Sequence, residues 1–260
     1  MGTSHQHLQK SLDFSPFLKN QTHMEIGAFI QARMGSERLP GKVLRLIRGK
    51  ELLLYLVERL YRCPSLNKIV IATSDEEIDR PIVEFCEKRG ISFFVGSLRN
   101  VAQRFRDLIE THPVDAFVRI SGDSPLIDQA LVSLAVDVFC HSSYDFVTNV
   151  QKRTFPKGQS VEVIRSRTYC THFPFFADEY DREHVTPYFY RNRDIINIYN
   201  LESGKDWGSV QLSVDRPEDF LLIQRMIDLM DKPHWEYDLE GLMKLRGRAL
   251  KLDEASKRAC

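Results

Sequence analysis

Apolar residues in the first 140 positions fall into short continuous runs separated by stretches with helical spacing. The runs at 24–32 (MEIGAFIQA), 67–73 (NKIVIAT), 91–95 and 115–120 (DAFVRI) have the length and character of strands buried on both faces. The intervening segments 51–62 (ELLLYLVERLYR), 75–89, 99–110 and 129–140 predict helices, with Asp75 placed to cap the second and Asp128 the fourth. Four such strand–helix alternations predict an α/β fold with a mainly parallel sheet and helices on both faces. Beyond 140 the pattern is less regular. Strands are predicted at 144–149, 160–164, 195–201 and 210–214, with a helix at 182–190 and another at 217–231. Pro217 suits the first turn of that last helix, and Glu218 and Asp219 suit its positive end.

No internal repeat or linker divides the chain, so one domain is expected over 24–260, with a small arm inserted within about 150–210. Residues 1–23 are polar and lack the apolar centre of a signal peptide. They read as a poorly ordered extension, or as sequence upstream of a second start at Met24. His5, His7 and His23 there read as stray tail histidines rather than metal ligands.

The 36 basic and 36 acidic side chains cancel, without the basic excess of a protein that lives on nucleic acid, so a small-molecule site is expected instead. Cys63, Cys86, Cys140, Cys170 and Cys260 lack the spacing of a zinc or redox motif and read as reduced thiols of a cytoplasmic protein. No apolar run approaches the roughly 18 to 20 residues of a membrane span.

In an open parallel sheet ligands bind beyond the carboxyl ends of the strands, so the segments following strands carry the candidate chemistry. The first, QARMGSERLPGK, gathers Arg33, Arg38 and Lys42 with Gly35, Gly41 and Ser36. Glycines let backbone N–H groups approach a phosphate, and Arg and Lys neutralise it. The spacing is neither a P-loop nor a GxGxxG fingerprint, and an ordinary exposed basic loop would share the composition. The second, ISGDSPLID, places Asp123 after a buried strand, as a Mg²⁺ ligand or a turn residue. The third, LSVDRPED, places Asp215 between a strand and a helix, as a cap or as a partner of Asp123 around a metal.

Together IQARMGSERLPGKVL, IVIATSDEEID, VRISGDSPLID, REHVTPYFY and LSVDRPEDF resemble, in order, the cytidylyltransferases of the spore-coat polysaccharide biosynthesis F type, over about 25–231. CMP-KDO and acylneuraminate cytidylyltransferases are more distant relatives. The resemblance implies a three-layer, Rossmann-like nucleotide-diphospho-sugar transferase fold. It also implies transfer of a cytidylyl group from CTP to a sugar acid with Mg²⁺ or Mn²⁺, for surface polysaccharide or glycoconjugate biosynthesis. On the matching positions it implies a nucleotide site at Ala32, Arg33, Gly35, Ser36, Arg38, Lys42, Thr73, Ser74, Asp75 and Gly122. Arg104 either faces the nucleotide or forms a structural ion pair. Asp123 and Asp215 fall on the metal positions, and with Arg33 and Lys42 they form the implied catalytic set. Glu162, Arg182, Glu183 and His184 lie where the sugar is expected, His184 alone reading as structural.

The chain departs from the pattern twice. Ser160 stands where an acidic residue is expected, in GQSVEV rather than GxDxEV, and Ser124 stands where Cys is common. A homodimer is implied, with the aromatic run 169–176 (YCTHFPFF) either at its interface or in a monomer core. Two other readings are a glycosyltransferase of similar fold, although GDSPLID lacks the Asp-x-Asp such enzymes carry, and a non-catalytic nucleotide-sugar binding subunit.

Overall fold

The computed structural model describes residues 24–258. The expected N-terminal extension and its histidines lie outside the described residues. The first half runs β1 (Ile26–Gln31), a small hairpin of β2 (Leu46–Ile47) and β3 (Lys50–Glu51), α1 (Leu52–Leu60), β4 (Lys68–Ser74), α2 (Arg80–Arg89), β5 (Phe93–Gly96), α3 (Val101–Thr111), β6 (Ala116–Ser121) and α4 (Gln129–Cys140). The second runs β7 (Phe146–Thr148), β8 (Glu162–Arg165), α5 (Ser166–His172), α6 (Glu179–His184), α7 (Pro187–Arg191), β9 (Ile198–Asn200), α8 (Pro217–Asp228) and α9 (Leu239–Arg258).

Seven strands form one sheet in the order β5-β4-β1-β6-β8-β7-β9. β5, β4, β1 and β6 are mutually parallel, and β8 lies antiparallel between β6 and β7. The chain first builds outward from β1 through β4 to β5, then returns to add β6 on β1's other side. The carboxyl ends of β1 and β6 therefore flank a topological switch point. The segment after residue 150 supplies β8 and β9 to this same sheet.

Alternation along the strands divides the interior in two. Ala28 and Ile30 of β1 and Val118 and Ile120 of β6 face a core shared with α1, α2, α4, α8 and α9. Phe29 and Phe117 face the other way, into an aromatic core closed by α3, α5 and α7. Phe29 and Phe117 stack at 5.3 Å, and Tyr169 meets Phe117 edge-on at the same separation. Tyr169 and Phe176 of the aromatic run are buried here within one chain, whereas Phe175 is exposed. No helix among the described residues is long and apolar enough to cross a membrane.

Several expectations need correction. Asp75 caps no helix. The chain after β4 first makes a 3-10 turn, Glu77–Asp79, and α2 starts at Arg80 with Pro81 in its first turn. The helix expected over 182–190 is two short helices, α6 and α7, broken at Val185 and Thr186 because Pro187 cannot continue a preceding helix. Residues 210–214 form no strand of the sheet, only an isolated bridge between Gln211 and Lys157. By contrast Asp128 does cap α4, accepting from Ala130 N, and its second oxygen accepts from Leu239 N of α9. Periodicity missed α5 and α9 altogether.

The α9 side is tied down by a buried charge. Arg59 of α1 is fully buried and donates to the carbonyls of Ile127, His234 and Tyr237. His234 packs beside it, with Nε2 at 2.7 Å from Glu58 Oε2. Burial pulls the His234 pKa down to about 4, against the pull of Glu58. The native imidazole is thus neutral and donates to Glu58, while the unfolded chain takes up a proton near its ordinary pKa of about 6.5. Stability from this group is present above that value and is lost as pH falls from about 6.5 towards 4. Between pH 7 and 5 the loss should be on the order of 2 kcal/mol. In His234→Gln, which keeps a donor but cannot titrate, the urea-unfolding midpoint should fall less over that interval.

Candidate active site

The loop after β1 is held from below. Its backbone closes on Met34 O, which accepts from Ser36 N at 2.8 Å and Gly41 N at 2.9 Å. Met34 N in turn donates to Asp79 Oδ1 at 2.6 Å. Leu39 and Val43 are sunk in the core, which leaves Arg33 and Arg38 exposed above it. Asp79 is fully buried and also accepts from the hydroxyl of Ser74, so one carboxylate joins this loop to the end of β4.

Asp123 follows β6 through Gly122, whose N–H donates to Gln31 O at 2.8 Å. A Cβ on Gly122 would come within 3.0 Å of Gln31 O and 3.1 Å of the Ala32 Cβ, so a larger residue would press the β1 and β6 ends apart by a few tenths of an ångström. Asp215 arrives by another route. Val214 N donates to Asp123 O at 2.9 Å, and Leu212 N to Lys157 O at 2.8 Å. Gly158 makes room for this segment: its φ is +90°, and a Cβ there would fall 2.4 Å from Ser213 N. Asp219, in the first turn of α8, accepts from the backbone N of Asp215 at 3.0 Å and of Arg216 at 2.9 Å, which fixes Asp215 from behind.

These routes converge on Lys42. Its Nζ lies 2.7 Å from Asp123 Oδ2 and 3.2 Å from Asp215 Oδ1, although the carboxylates stand 81 and 173 residues away in sequence. Arg38 Nη2 lies 3.4 Å from Asp215 Oδ1, and Gln211 Nε2 donates to Asp215 Oδ2 at 3.0 Å. Burial alone would raise the Asp215 pKa. Lys42, Gln211 and Arg38 outweigh it and hold the carboxyl below its ordinary value, so Asp215 is ionised at neutral pH.

A cavity of about 460 Å³ opens over this cluster. Of the residues singled out from sequence, Ala32, Arg33, Gly35, Ser36, Arg38, Lys42, Asp123, Asp215 and Glu183 line it. Its cations, Arg33, Arg38 and Lys42, face four carboxylates, those of Glu37, Asp123, Glu183 and Asp215. Among the described residues no three His, Cys, Asp or Glu side chains gather as a metal cage. Two hard oxygen donors at the edge of a cavity still suit Mg²⁺, which takes one or two protein carboxylates and completes its shell with water and phosphate. The Lys42 ammonium lies between the two.

Other predicted positions lie elsewhere. Thr73 and Ser74 are buried at the end of β4, and Asp75 is exposed, donating its N–H to Gly96 O at 3.0 Å. Arg104 is 1% exposed, and its Nε and Nη1 lack hydrogen-bond partners. Burial pulls its pKa down to about 10, with Asp79 opposing. It sits in the electrostatic reach of the loop anchor and does not line the cavity.

A second cavity, of about 480 Å³, is lined by Glu162 and His184 together with Arg119, Arg153, Ser160, Tyr190 and Arg191. Short α6 separates the two, presenting Glu183 to the first and His184 to the second, while exposed Arg182 lines neither. After α6, Val185 is fully buried with φ +73°, and Thr186 N donates to His184 O at 2.8 Å in a strained γ-turn.

The cavities are bridged by a polar row across the sheet. Arg119 Nη1 donates to Glu162 Oε2 at 2.6 Å, and its Nη2 to Gln31 Oε1 at 3.2 Å. Tyr190 donates to Glu162 Oε1 at 2.5 Å and lies 2.8 Å from Thr148 Oγ1. Burial and the neighbouring Glu162 raise the Tyr190 pKa well above normal, which keeps it a donor. Sequence reasoning missed Gln31, Arg119, Tyr190 and Asp79, and placed Asp219 at the positive end of α8 without its hold on Asp215. For Arg119 there was a signal, a lone charge inside the apolar run DAFVRI.

Residues 28–246 match the family described as Cytidylyltransferase. The chain is 33% identical over 207 residues to the spore coat polysaccharide biosynthesis protein SpsF of Bacillus subtilis, covering 76% of this chain and 84% of that protein. It is 26% identical over 200 residues to 3-deoxy-manno-octulosonate cytidylyltransferase 2 of Hydrogenovibrio crunogenus, covering 68% and 78%. Among solved structures, a cytidylyltransferase from Leptospira borgpetersenii superposes with a TM-score of 0.83 at 31% identity, covering 88% of this chain and 96% of that one.

Because Asp79 accepts from both Met34 N and Ser74, Asp79→Ala would strand two buried donors and remove the charge facing Arg104. A loss of roughly 2 to 4 kcal/mol is expected. Amide hydrogen exchange should speed up in 33–42 in this variant, well beyond its rise in α9, if the carboxylate anchors the loop.

Proposed function

The chain belongs to the cytidylyltransferase family, and from that premise we propose that it transfers the cytidylyl group of CTP to a hydroxyl of a sugar acid, releasing pyrophosphate. The observation that carries the reading is the convergence of Asp123 and Asp215 on Lys42 beneath a cavity edged by the Arg33–Lys42 loop. In this reading the triphosphate lies in the first cavity and the acceptor in the second, with the hydroxyl entering past Arg119.

Charge balance supports a metal. With four carboxylates against three cations, the first cavity alone repels a polyanion. A divalent ion, Mg²⁺ or Mn²⁺, held by Asp123 and Asp215 would reverse that sign; when bound it neutralises phosphate charge and polarises the phosphorus towards attack.

The chain's own groups do the rest. Arg33, Arg38, Lys42 and the loop N–H groups hold the phosphates in line, so that the acceptor oxygen bonds to the α-phosphorus as the bond to the pyrophosphate oxygen breaks and the hydroxyl's proton passes through solvent to the released pyrophosphate. Lys42, its side chain 11% exposed and within reach of both carboxylates, is placed to face the oxygens on which negative charge grows. Glu162 is a poor base, since both its oxygens already accept hydrogen bonds, from Arg119 and Tyr190. It positions those two groups instead. His184 and Glu183, on either side of α6, flank the path between substrates. The reading extends to a homodimer working in the cytoplasm on a surface-glycan sugar; light scattering of the purified chain would give twice the mass of 30.3 kDa.

Pyrophosphate release from CTP with a panel of sugar acids tests the activity and separates it from glycosyl transfer, which would release a free nucleotide. Lys42→Ala should cost about 10² to 10³ in rate, and Asp123→Ala more. Chelation should abolish turnover, Mg²⁺ or Mn²⁺ should restore it, and Asp123→Ala should weaken Mn²⁺ binding. Normal CMP-sugar synthesis by Asp123→Ala would overturn the metal assignment.

A further inference from the structure

Residues 211–215 alternate like a strand although they join no sheet. Leu212 and Val214 sink into the core shared with α1, α2, α4, α8 and α9, which turns Gln211, Ser213 and Asp215 to the opposite side. The backbone on either side of Gln211 is fixed by one residue: Lys157 N donates to Val210 O at 2.9 Å, and Lys157 O accepts from Leu212 N at 2.8 Å. Gln211 is thus held in place four residues before a carboxylate of the first cavity.

Its amide is directed at that carboxylate. Nε2 donates to Asp215 Oδ2 at 3.0 Å, and it also lies 3.0 Å from Ser213 O and 2.8 Å from Ser213 Oγ. A carboxylate and a carbonyl can only accept, so the amide must present its nitrogen to both. The other oxygen of Asp215, Oδ1, meets Lys42 at 3.2 Å and Arg38 at 3.4 Å, and both of these residues line the first cavity. Asp123 is arranged in the same way. Its Oδ2 meets Lys42 at 2.7 Å, and its Oδ1 accepts from the hydroxyl of Ser124 at 3.3 Å. Each carboxylate therefore turns one oxygen to the cavity lysine and rests the other on a neutral donor. A neutral donor fixes the plane of a carboxylate and leaves its charge available; a cation in the same place would cancel that charge.

We propose that Gln211 is a positioning residue for the metal: by holding Asp215 Oδ2 from behind with a neutral amide, it aims Oδ1 at a divalent cation without spending the negative charge that binds it. This rests on the reading of Asp123 and Asp215 as the metal position. Gln211 does not line the cavity, so it acts through Asp215 and touches neither substrate. Partners of this kind, one bond removed from the ion, orient the ligand before the ion arrives.

The test uses the full chain, with Mn²⁺ binding read by electron paramagnetic resonance and turnover read as pyrophosphate release from CTP with a panel of sugar acids. For Gln211→Met, similar in length but without a donor, Mn²⁺ binding should weaken about 10- to 100-fold. The Mn²⁺ concentration that half-activates turnover should rise by a like factor, and saturating Mn²⁺ should restore the maximal rate. Gln211→Lys keeps a donor but adds a charge, so it too should weaken Mn²⁺ binding, and it carries the measurement if circular dichroism shows that Gln211→Met fails to fold. Either folded variant binding Mn²⁺ as tightly as the parent overturns the inference and leaves the proposed activity standing. So does a folded Gln211→Met whose rate no concentration of Mn²⁺ restores, because its side chain then acts by another route. Gln211-dependent Mn²⁺ binding with no pyrophosphate released from any acid overturns the activity and keeps the inference. A parent chain that binds no Mn²⁺ overturns the inference together with the metal assignment.

Discussion

Two carboxylates that must share one small volume are the constraint around which this molecule is arranged. Asp123 and Asp215 are both within hydrogen-bond reach of one lysine nitrogen, so their separation cannot exceed the sum of two such contacts. At that range in a protein interior, two negative charges repel by on the order of 3 kcal/mol. A cation between them is a condition of the fold, and Lys42 supplies it. Every nearby device serves that meeting: Gly122 lets β6 close on β1, Gly158 admits the 211–214 segment, and Asp219 reaches back from α8 to set the Asp215 backbone. The same electrostatics make the cluster a site, because a place that requires one positive charge and opens on a cavity can exchange or share it.

A second level of organisation is the row of polar side chains on the sheet face that otherwise builds the aromatic core. Register places Arg119 opposite Glu162 and Glu162 opposite Thr148, while Gln31 sits one pleat along from Phe29, the partner of Arg119. The row therefore spans β1, β6, β8 and β7 at one height. Below it the same face is Phe29, Phe117, Phe146 and Ile164. The sheet is dry where it needs cohesion and hydrogen-bonded where the strands reach the cavities. Because Arg119 contacts Gln31 in one cavity and Glu162 in the other, the two spaces are physically joined by a single side chain.

Buried charges elsewhere hold the frame rather than act. Arg59 binds three carbonyls from segments that have no sheet to join, and Asp128 caps the start of α4 and accepts from the first backbone N–H of α9. Asp79 does the same for the basic loop. Each is a polar group in a dry place, tolerable because its partners are satisfied. One backbone feature breaks the pattern: Val185 stands at positive φ between α6 and α7, where Glu183 and His184 diverge towards different cavities. Strain of this kind persists only where surrounding packing imposes it.

Much of this was legible in the sequence. Burial on both faces makes a strand apolar throughout, so β1, β4 and β6 announced themselves, and with them a parallel sheet whose loops carry ligands; β5, expected to be buried on both faces, is an edge strand and only partly buried. The Arg33–Lys42 loop and Asp123 were visible because chemistry-bearing residues directly after such strands have few structural reasons to be there; Asp215 was visible only as a partner for Asp123 and through its motif, since the run before it is no strand. The assignments that failed had only local support. Residues 210–214 look like a strand yet pair with one residue, Asp75 looks like a cap yet the chain first turns through Glu77–Asp79, and 182–190 looks like one helix although Pro187 divides it. α9 went unseen because its pattern of exposed charges is weak evidence of a helix without the core it covers. What the sequence determined by itself was the set of elements and the residue types at their ends, since periodicity and turn chemistry are properties of neighbours along the chain. Which carboxylate meets which lysine, which arginine is left without a partner, and how Gln31, Arg119 and Glu162 come into line were decided only by tertiary structure, because those interactions depend on strand register and on contacts between residues far apart in the chain.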